Sequence, residues 1–326
     1  MRIIVTGAAG FIGSHVAEAL LARGDSVLGI DEVNDYYDPR QKEANLTILS
    51  RHKKFSFKRL DIRDAEALTA AFAAFKPDKV VHLAARAGVR PSIEQPRLYY
   101  EVNVLGTLNV LEAMRATHVR DLVAASSSSV YGSRTPKSGA FKEDDRVDTP
   151  ISPYAASKKA MEELCHAYHA LHDLNIILLR FFTVYGPRGR PDMALYKFLD
   201  ALHRDEQITV YGSGDQVRDF TFIDDVVNAN VLAAVTAMPP GQVFNVAGGT
   251  SVSVNESLAL LESLSGRPLR VNRVGTVPGD VAQTGGSTER LRLAVGWEPS
   301  VSFEVGLAAQ LDWGRRLFGT TDGSGG

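Results

Sequence analysis

The sequence predicts an α/β fold: a doubly wound parallel sheet joined to a smaller mixed α/β lobe. Three observations carry that reading. A β-branched run at residues 2 to 6 leads straight into a glycine turn, strands and helices then alternate as far as residue 181, and shorter strands mix with helices from 183 onward. With 326 residues, 44% of them hydrophobic, the chain is long enough to bury a sizeable core in one large domain or two. A net charge of -2 with interspersed signs offers no basic surface, so neither nucleic acid nor an anionic membrane is an expected partner. The lone cysteine, Cys165, cannot form an intrachain disulfide, and no charged leader with an apolar segment opens the sequence. A cytoplasmic protein is therefore expected, with Cys165 a packed thiol and no metal site.

The first strand, RIIVT, is followed by GAAGFIGSHVAEALLARG, a helix closed by Gly24. Its glycines, Gly7, Gly10 and Gly13, allow a tight turn, close approach of backbone to a pyrophosphate, and close packing of helix on strand. The second strand, SVLGI at 26 to 30, ends on Asp31, where an acid meets the adenosine ribose hydroxyls. That carboxylate would repel a 2'-phosphate, so the expected cofactor is NAD rather than NADP. Together these features make the sheet Rossmann-like.

A strand at 55 to 59, a helix from about 64 to 75 and a strand at 79 to 83 continue the alternation. Asp61 and Ile62 either edge the adenine site or form a plain turn. The small-residue loop from Ala84 to Val89 lets a cofactor approach, while Arg86 and Arg90 are open to substrate anions or to solvent. Within a long helix from about 97 to 117, Asn103 is an odd interior residue that either orients the site or bends the helix. The fifth strand, DLVAASSSSVYG, ends in Ser126, Ser127, Ser128 and Ser129, whose hydroxyls would face the ligand crevice.

Ser152 and Pro153 then start a helix that carries Tyr154 and Lys158 one turn apart on the same face. Such a pair can do proton chemistry. Lowering a tyrosine from its usual pKa near 10 by about 3 units takes roughly 4 kcal/mol of phenolate stabilisation, which an ammonium and a cationic cofactor could supply. A sixth strand follows at 175 to 181, which sets a domain boundary at 182. Residues 183–318 form the expected substrate lobe, with segments returning to the main sheet, and residues 319–326 a disordered tail. In that lobe Arg190 and Arg218 lie in turn-rich segments suited to an anionic ligand, or to salt bridges within the lobe.

TGAAGFIG, Asp31, SSSSVYG and YAASK together resemble the extended short-chain dehydrogenase/reductase superfamily, the NAD-dependent nucleotide-sugar modifiers. HLAARAGVRPSIEQP, PISPYAASKKAMEEL, RFFTVYGPRGRPDMA, RDFTFIDDVV and PGDV are similar to UDP-glucuronate 4-epimerases, and the similarity runs from about residue 1 to 312. The resemblance implies a catalytic triad of Ser127, Tyr154 and Lys158. It implies a cofactor surface of Gly7, Gly10, Phe11, Ile12, Gly13, Asp31, Asp61, Ile62, Leu83, Ala84, Ala85, Ala87, Asn103, Ser126, Phe181 and Val184, shared with Tyr154 and Lys158. For a UDP-sugar it implies Arg86, Ser127, Ser128, Ser129, Tyr154, Thr183, Arg190, Met193, Lys197, Arg218 and Asp280, with Arg190 on the uronate carboxylate. It also implies a homodimer.

At Thr284-Gly285-Gly286-Ser287 the chain departs from the family pattern, which commonly has an Ala-Asp pair there; Ser287 can still cap the next helix. Related dehydratases carry an Asp-Glu pair where Ser128 and Ser129 stand, and related decarboxylases a glutamate in place of Ser129. A UDP-glucose 4-epimerase and a UDP-glucuronate decarboxylase are the enzymatic alternatives. A non-catalytic NAD-binding regulator is the other, but such a protein normally loses the tyrosine or lysine.

Overall fold

The computed structural model describes residues 1–133, 139–275 and 283–319. Strands β1 (Arg2–Thr6), β2 (Ser26–Asp31), β3 (Phe55–Arg59), β4 (Lys79–His82), β5 (Asp121–Ser127) and β6 (Asn175–Phe181) alternate with helices, as the sequence pattern predicts. Next come β7 (Thr183–Tyr185), β8 (Ile208–Tyr211), β9 (Val217–Arg218), β10 (Phe220–Phe222), β11 (Gln242–Val246), β12 (Val252–Ser253) and β13 (Val271–Val274). The main sheet has seven strands, all parallel, in the order β11-β6-β5-β4-β1-β2-β3. The remaining strands pair as β7 with β10, β8 with β13 and β9 with β12. The chain runs outward from β1 to β3 and then crosses to β4 on the other side of β1, so a crevice opens at the carboxyl ends of β1 and β4.

Successive residues of β1 face opposite layers. Ile4 joins a core with Leu68, Phe72, Leu111, Met114 and Met161, contributed by α3 (Ala65–Phe75), α6 (Gly106–Ala116) and α7 (Pro153–His172). Ile3 and Val5 join the other core with Val16, Leu20, Val226 and Ala229, from α1 (Phe11–Ala22) and α9 (Ile223–Val235). The second half of the chain thus covers one face of the main sheet with α9 and extends its edge with β11. Helices α8 (Ala194–Arg204), α10 (Val254–Ser265) and α12 (Phe303–Gly319) pack together beside the crevice.

Several local expectations need correcting. The helix expected at 97 to 117 is three pieces: α5 (Pro96–Tyr100), a π-helical turn at Glu101–Leu105, and α6. Helices α2 (Pro39–Leu49) and α4 (Val89–Glu94) are additional, and the helix expected after Ser287 is α11 (Glu289–Val295). Asp38 caps α2 by accepting from the Arg40 amide, and Pro39 takes its first position. Thr288, not Ser287, is the N-cap of α11 and makes no side-chain cap; Ser287 Oγ accepts from the Glu289 amide at a long 3.5 Å. Gly286 has a packing reason, since a Cβ there would come within 2.5 Å of the Phe182 ring. Cys165 is fully buried, and burial pushes its thiol up to about 12, as befits an inert packed side chain. Asp280 and the tail from 320 to 326 lie outside the described residues.

Candidate active site

A cavity of about 900 Å³ fills the crevice between the sheet and the second half of the chain. At its floor Gly7 has φ +72°, and a Cβ on Gly13 would run into the Gly7 carbonyl, so both glycines serve the turn itself. Gly10 differs: its nearest neighbour across the missing Cβ is that carbonyl at 3.2 Å, and no side chain caps the helix it begins. The first amides of α1 therefore remain available to a phosphate at the cavity wall. Asp31 is buried at the end of β2, accepting from the Ala9 amide at 3.1 Å and the Val33 amide at 2.8 Å. Burial pushes its carboxyl up, against the pull of those amides and of Lys42. This donor and acceptor set fits a dinucleotide.

Phe11, Ile12, Asp61, Ile62, Leu83, Ala84, Ala85 and Ala87 line the same arm of the cavity. Thr6 Oγ1 accepts from the amides of Leu83 and Ala84, both at 3.2 Å, which fixes the start of the loop after β4. Asn103 fixes the next residue. Its Oδ1 accepts from the Arg86 amide at 2.7 Å, and its Nδ2 donates to the Arg86 carbonyl at 3.0 Å and to Ser157 Oγ at 2.9 Å. Asn103, expected on the cofactor surface, is buried beneath this loop, where the π turn sets its amide to clamp it. Asp61 lies in the lining but spends its carboxylate on Arg63 at 2.6 Å.

The reactive end is built by β5 and α7. Ser152 Oγ accepts from the Ala155 amide at 3.1 Å, and Pro153 takes the first helical position, so Tyr154 enters the cavity from the first turn of α7. Its ring meets Tyr99 edge-on, with centroids 6.1 Å apart. Burial pushes the Tyr154 hydroxyl up; a Ser127 hydrogen bond and Arg190 act against this, while Asp192 reinforces it. Lys158, one turn further along α7, is also buried. Its Nζ donates to the Ala125 carbonyl at 2.8 Å, and burial lowers it to about 8. Ser127 Oγ accepts from the Ser129 amide at 3.2 Å and lies 3.1 Å from Ser129 Oγ. Ser128 and Ser129 sit in a 3-10 turn rather than on the strand, but both line the cavity.

Ser126 donates to Glu162 Oε1 at 2.6 Å. Glu162, fully buried, pairs with Arg180 through two bonds of 2.8 Å, and Arg180 Nη1 donates to the Tyr131 hydroxyl at 3.0 Å. This network locks β5, α7 and β6 behind the serines. Phe181, Val184, Thr183, Arg190, Met193, Lys197 and Arg218 all line the cavity, as does Arg86, stacked 5.0 Å over the Tyr36 ring. Sequence reasoning missed Tyr36, Lys42, Glu162 and Asp192. Lys42 and Tyr36 were signalled by the Asp38-Pro39 helix start just after Asp31, whereas the ion pairs of Glu162 and Asp192 have no sequence signature.

A dinucleotide cradle opening onto a tyrosine and a lysine four residues apart on one helix defines the extended short-chain dehydrogenase/reductase class. More narrowly, the chain belongs to the NAD dependent epimerase/dehydratase family, whose pattern matches residues 3–247. It is similar to UDP-glucuronate 4-epimerase of Thermodesulfobacterium geofontis, with 41% identity over 96% of this chain and 95% of that one. Its structure is similar to UDP-glucuronic acid 4-epimerase from Bacillus cereus in complex with UDP-glucuronic acid and NAD, with a TM-score of 0.91 and 36% identity over 97% of this chain and 100% of that one. It is also similar to UDP-glucose 4-epimerase of Thermotoga maritima with UDP-glucose, with a TM-score of 0.89 and 30% identity over 97% and 99% of the two chains. Among the described residues no helix is long and apolar enough to cross a membrane.

Proposed function

We propose that this chain is an NAD-dependent UDP-glucuronate 4-epimerase that interconverts UDP-glucuronate and UDP-galacturonate through a transient 4-keto sugar. The observation that carries the reading is that the guanidinium of Arg190 lines the same cavity as Tyr154 and Ser127. Proton chemistry and recognition of an anionic sugar thereby meet in one place.

NAD+, when bound, would supply the hydride acceptor and, once reduced, the hydride donor. Tyr154, ionised to the phenolate, takes the proton from the 4'-hydroxyl, and the phenol so formed gives it back when the alcohol re-forms. Ser127, on the same cavity wall, steadies the proton in transit. Lys158, held on the Ala125 carbonyl, keeps two further donor positions for the cofactor ribose. Gly10 leaves the α1 amides to the pyrophosphate, and Asp31 takes the ribose hydroxyls. The ketone lies β to the carboxylate, so carbon dioxide is lost if the carboxylate bond aligns with the carbonyl π system. Arg190, Thr183 and the hydroxyls of Ser128 and Ser129 hold it out of that alignment. The Asp-Glu pair of dehydratases and the glutamate of decarboxylases are serines here.

The further parts of the reading are a cofactor domain over 1–182, a UDP-sugar lobe over 183–318, a cytoplasmic location and a homodimer. Support for the dimer comes from apolar side chains left exposed on neighbouring helices, among them Ile93, Leu105 and Leu171. Light scattering tests it, and a monomer at micromolar concentration refutes it. The function is tested by NMR of the products formed from UDP-glucuronate. The epimer is expected; UDP-pentose, or unchanged substrate alongside turnover of UDP-glucose, refutes the assignment.

A further inference from the structure

Arg190 does not meet the cavity as a free cation. Its Nε and Nη2 each donate at 2.8 Å to separate oxygens of Asp192, a side-on bidentate pair. Both side chains are partly buried and both line the cavity. The segment is braced from behind: Gln41 Nε2 donates to the carbonyls of Arg188 and Gly189, both at 2.8 Å. Arg188 donates to His15 Nε2 at 3.1 Å and to Glu18 at 2.8 Å. Position 190 is therefore anchored to α1 and α2, while the orientation of the guanidinium is left to Asp192.

An arginine has two edges that can take a carboxylate. Asp192 fills the Nε/Nη2 edge, and Nη1 has no partner among the described residues. The pair as a whole carries no net charge, an unexpected property for a site that takes an anionic sugar. We propose, on the uronate reading above, that Asp192 is an exchangeable counter-ion: a positioning residue that holds the Arg190 guanidinium and competes with the sugar carboxylate for it.

The need for such a competitor follows from the reaction. To expose the other face of its ketone, the 4-keto sugar must turn, and its carboxylate must leave one position and take another. A guanidinium without a counter-ion would bind the carboxylate most strongly in the ground state and slow that turn. A second carboxylate about 6–7 Å away on the opposite edge weakens the hold, by about tenfold once solvent screening reduces the Coulomb repulsion at an effective dielectric of about 20. It also keeps the guanidinium paired while the sugar moves. A neutral hexose has no charge at that position, so its binding is indifferent to Asp192.

The test is calorimetric binding of UDP-glucuronate and of UDP-glucose to the NAD-loaded wild type and to Asp192→Asn, together with steady-state kinetics on UDP-glucuronate. The variant is expected to bind UDP-glucuronate about tenfold tighter and UDP-glucose within about twofold of wild type, with KM and kcat for the uronate both falling. Asp192→Glu, which retains the charge, should keep the wild-type ratio of affinities. Unchanged or weaker uronate binding in Asp192→Asn, or an equal shift for both sugars, overturns the proposal. If Asp192→Asn fails to fold, Asp192→Ser removes the same charge and is judged by the same ratio. Products of the wild-type enzyme report separately on the uronate reading, because the binding comparison needs no turnover.

Discussion

Replacing Glu162 by glutamine removes one negative charge from the interior and leaves its shape in place. Glu162 is fully buried and Arg180 is 3% exposed, so the charge left behind on Arg180 has no access to water. Arg180 loses two charge-assisted bonds of 2.8 Å, and Ser126 loses a charged acceptor. Breaking a buried pair by deleting one partner costs about 3–5 kcal/mol, because the survivor stays desolvated and unpaired. For a chain of this size that corresponds to a fall in Tm of roughly 4–7 °C. Calorimetry of wild type and Glu162→Gln at neutral pH measures it. The loss should also depend on pH with a definite sign. Burial raises the Glu162 carboxyl, but Arg180 and Ser126 more than reverse this and hold it below its ordinary 4.5. A group with a depressed folded pKa contributes its full stability above the unfolded value and loses it as pH falls through the folded value. The deficit of Glu162→Gln is therefore full above about pH 4.5 and shrinks in acid. A deficit under about 1 kcal/mol, or one that persists unchanged at pH 3, refutes the claim that this pair carries an uncompensated charge when broken.

Three further outcomes are expected. Tyr154→Phe removes the proton carrier and should lower kcat by about 10²–10⁴ with little change in NAD content; stopped-assay rates and cofactor quantitation check this. Lys158→Met should abolish turnover and yet stabilise the fold. The shift of Lys158 from 10.5 to about 8 corresponds to roughly 3 kcal/mol of buried-charge cost, of which about 1 kcal/mol is offset by the lost bond to Ala125. Because the folded pKa is lowered, that gain is full below about pH 8 and fades as pH rises toward 10.5, which thermal melts across this range would register. Asn103→Leu frees the backbone of Arg86 on both sides and should weaken NAD retention by tenfold or more, measured by cofactor content after dialysis.

The parts of the site that could be read from the sequence are those written into one short segment. The turn at Gly7, Gly10 and Gly13 needs three glycines at fixed spacing, and Tyr154 and Lys158 share a helix face because a turn is about 3.6 residues long. Asp31 ends a strand whose β-branched run marks it. What escaped depends on partners distant in sequence or on loop conformation. Nothing in Arg190-Pro191-Asp192 says that the two charged side chains fold back on each other, and the Glu162 to Arg180 pair joins a helix to a strand across the sheet. Asn103 drew notice as a poor helix former, yet only the π turn shows that its amide clamps a loop 17 residues earlier. That a later segment would return to the main sheet was legible, but not that it would be β11, because its pairing with β6 is set by contacts made across the molecule.

The central claim is that one hydride leaves C4' and returns to the same carbon from the other face. It is tested most directly by following UDP-glucuronate deuterated at C4' through complete turnover in ordinary water by proton NMR. The account predicts UDP-galacturonate with deuterium retained at C4' and no loss of the carboxyl carbon. Product carrying solvent hydrogen at C4', or accumulation of a UDP-pentose, would contradict it.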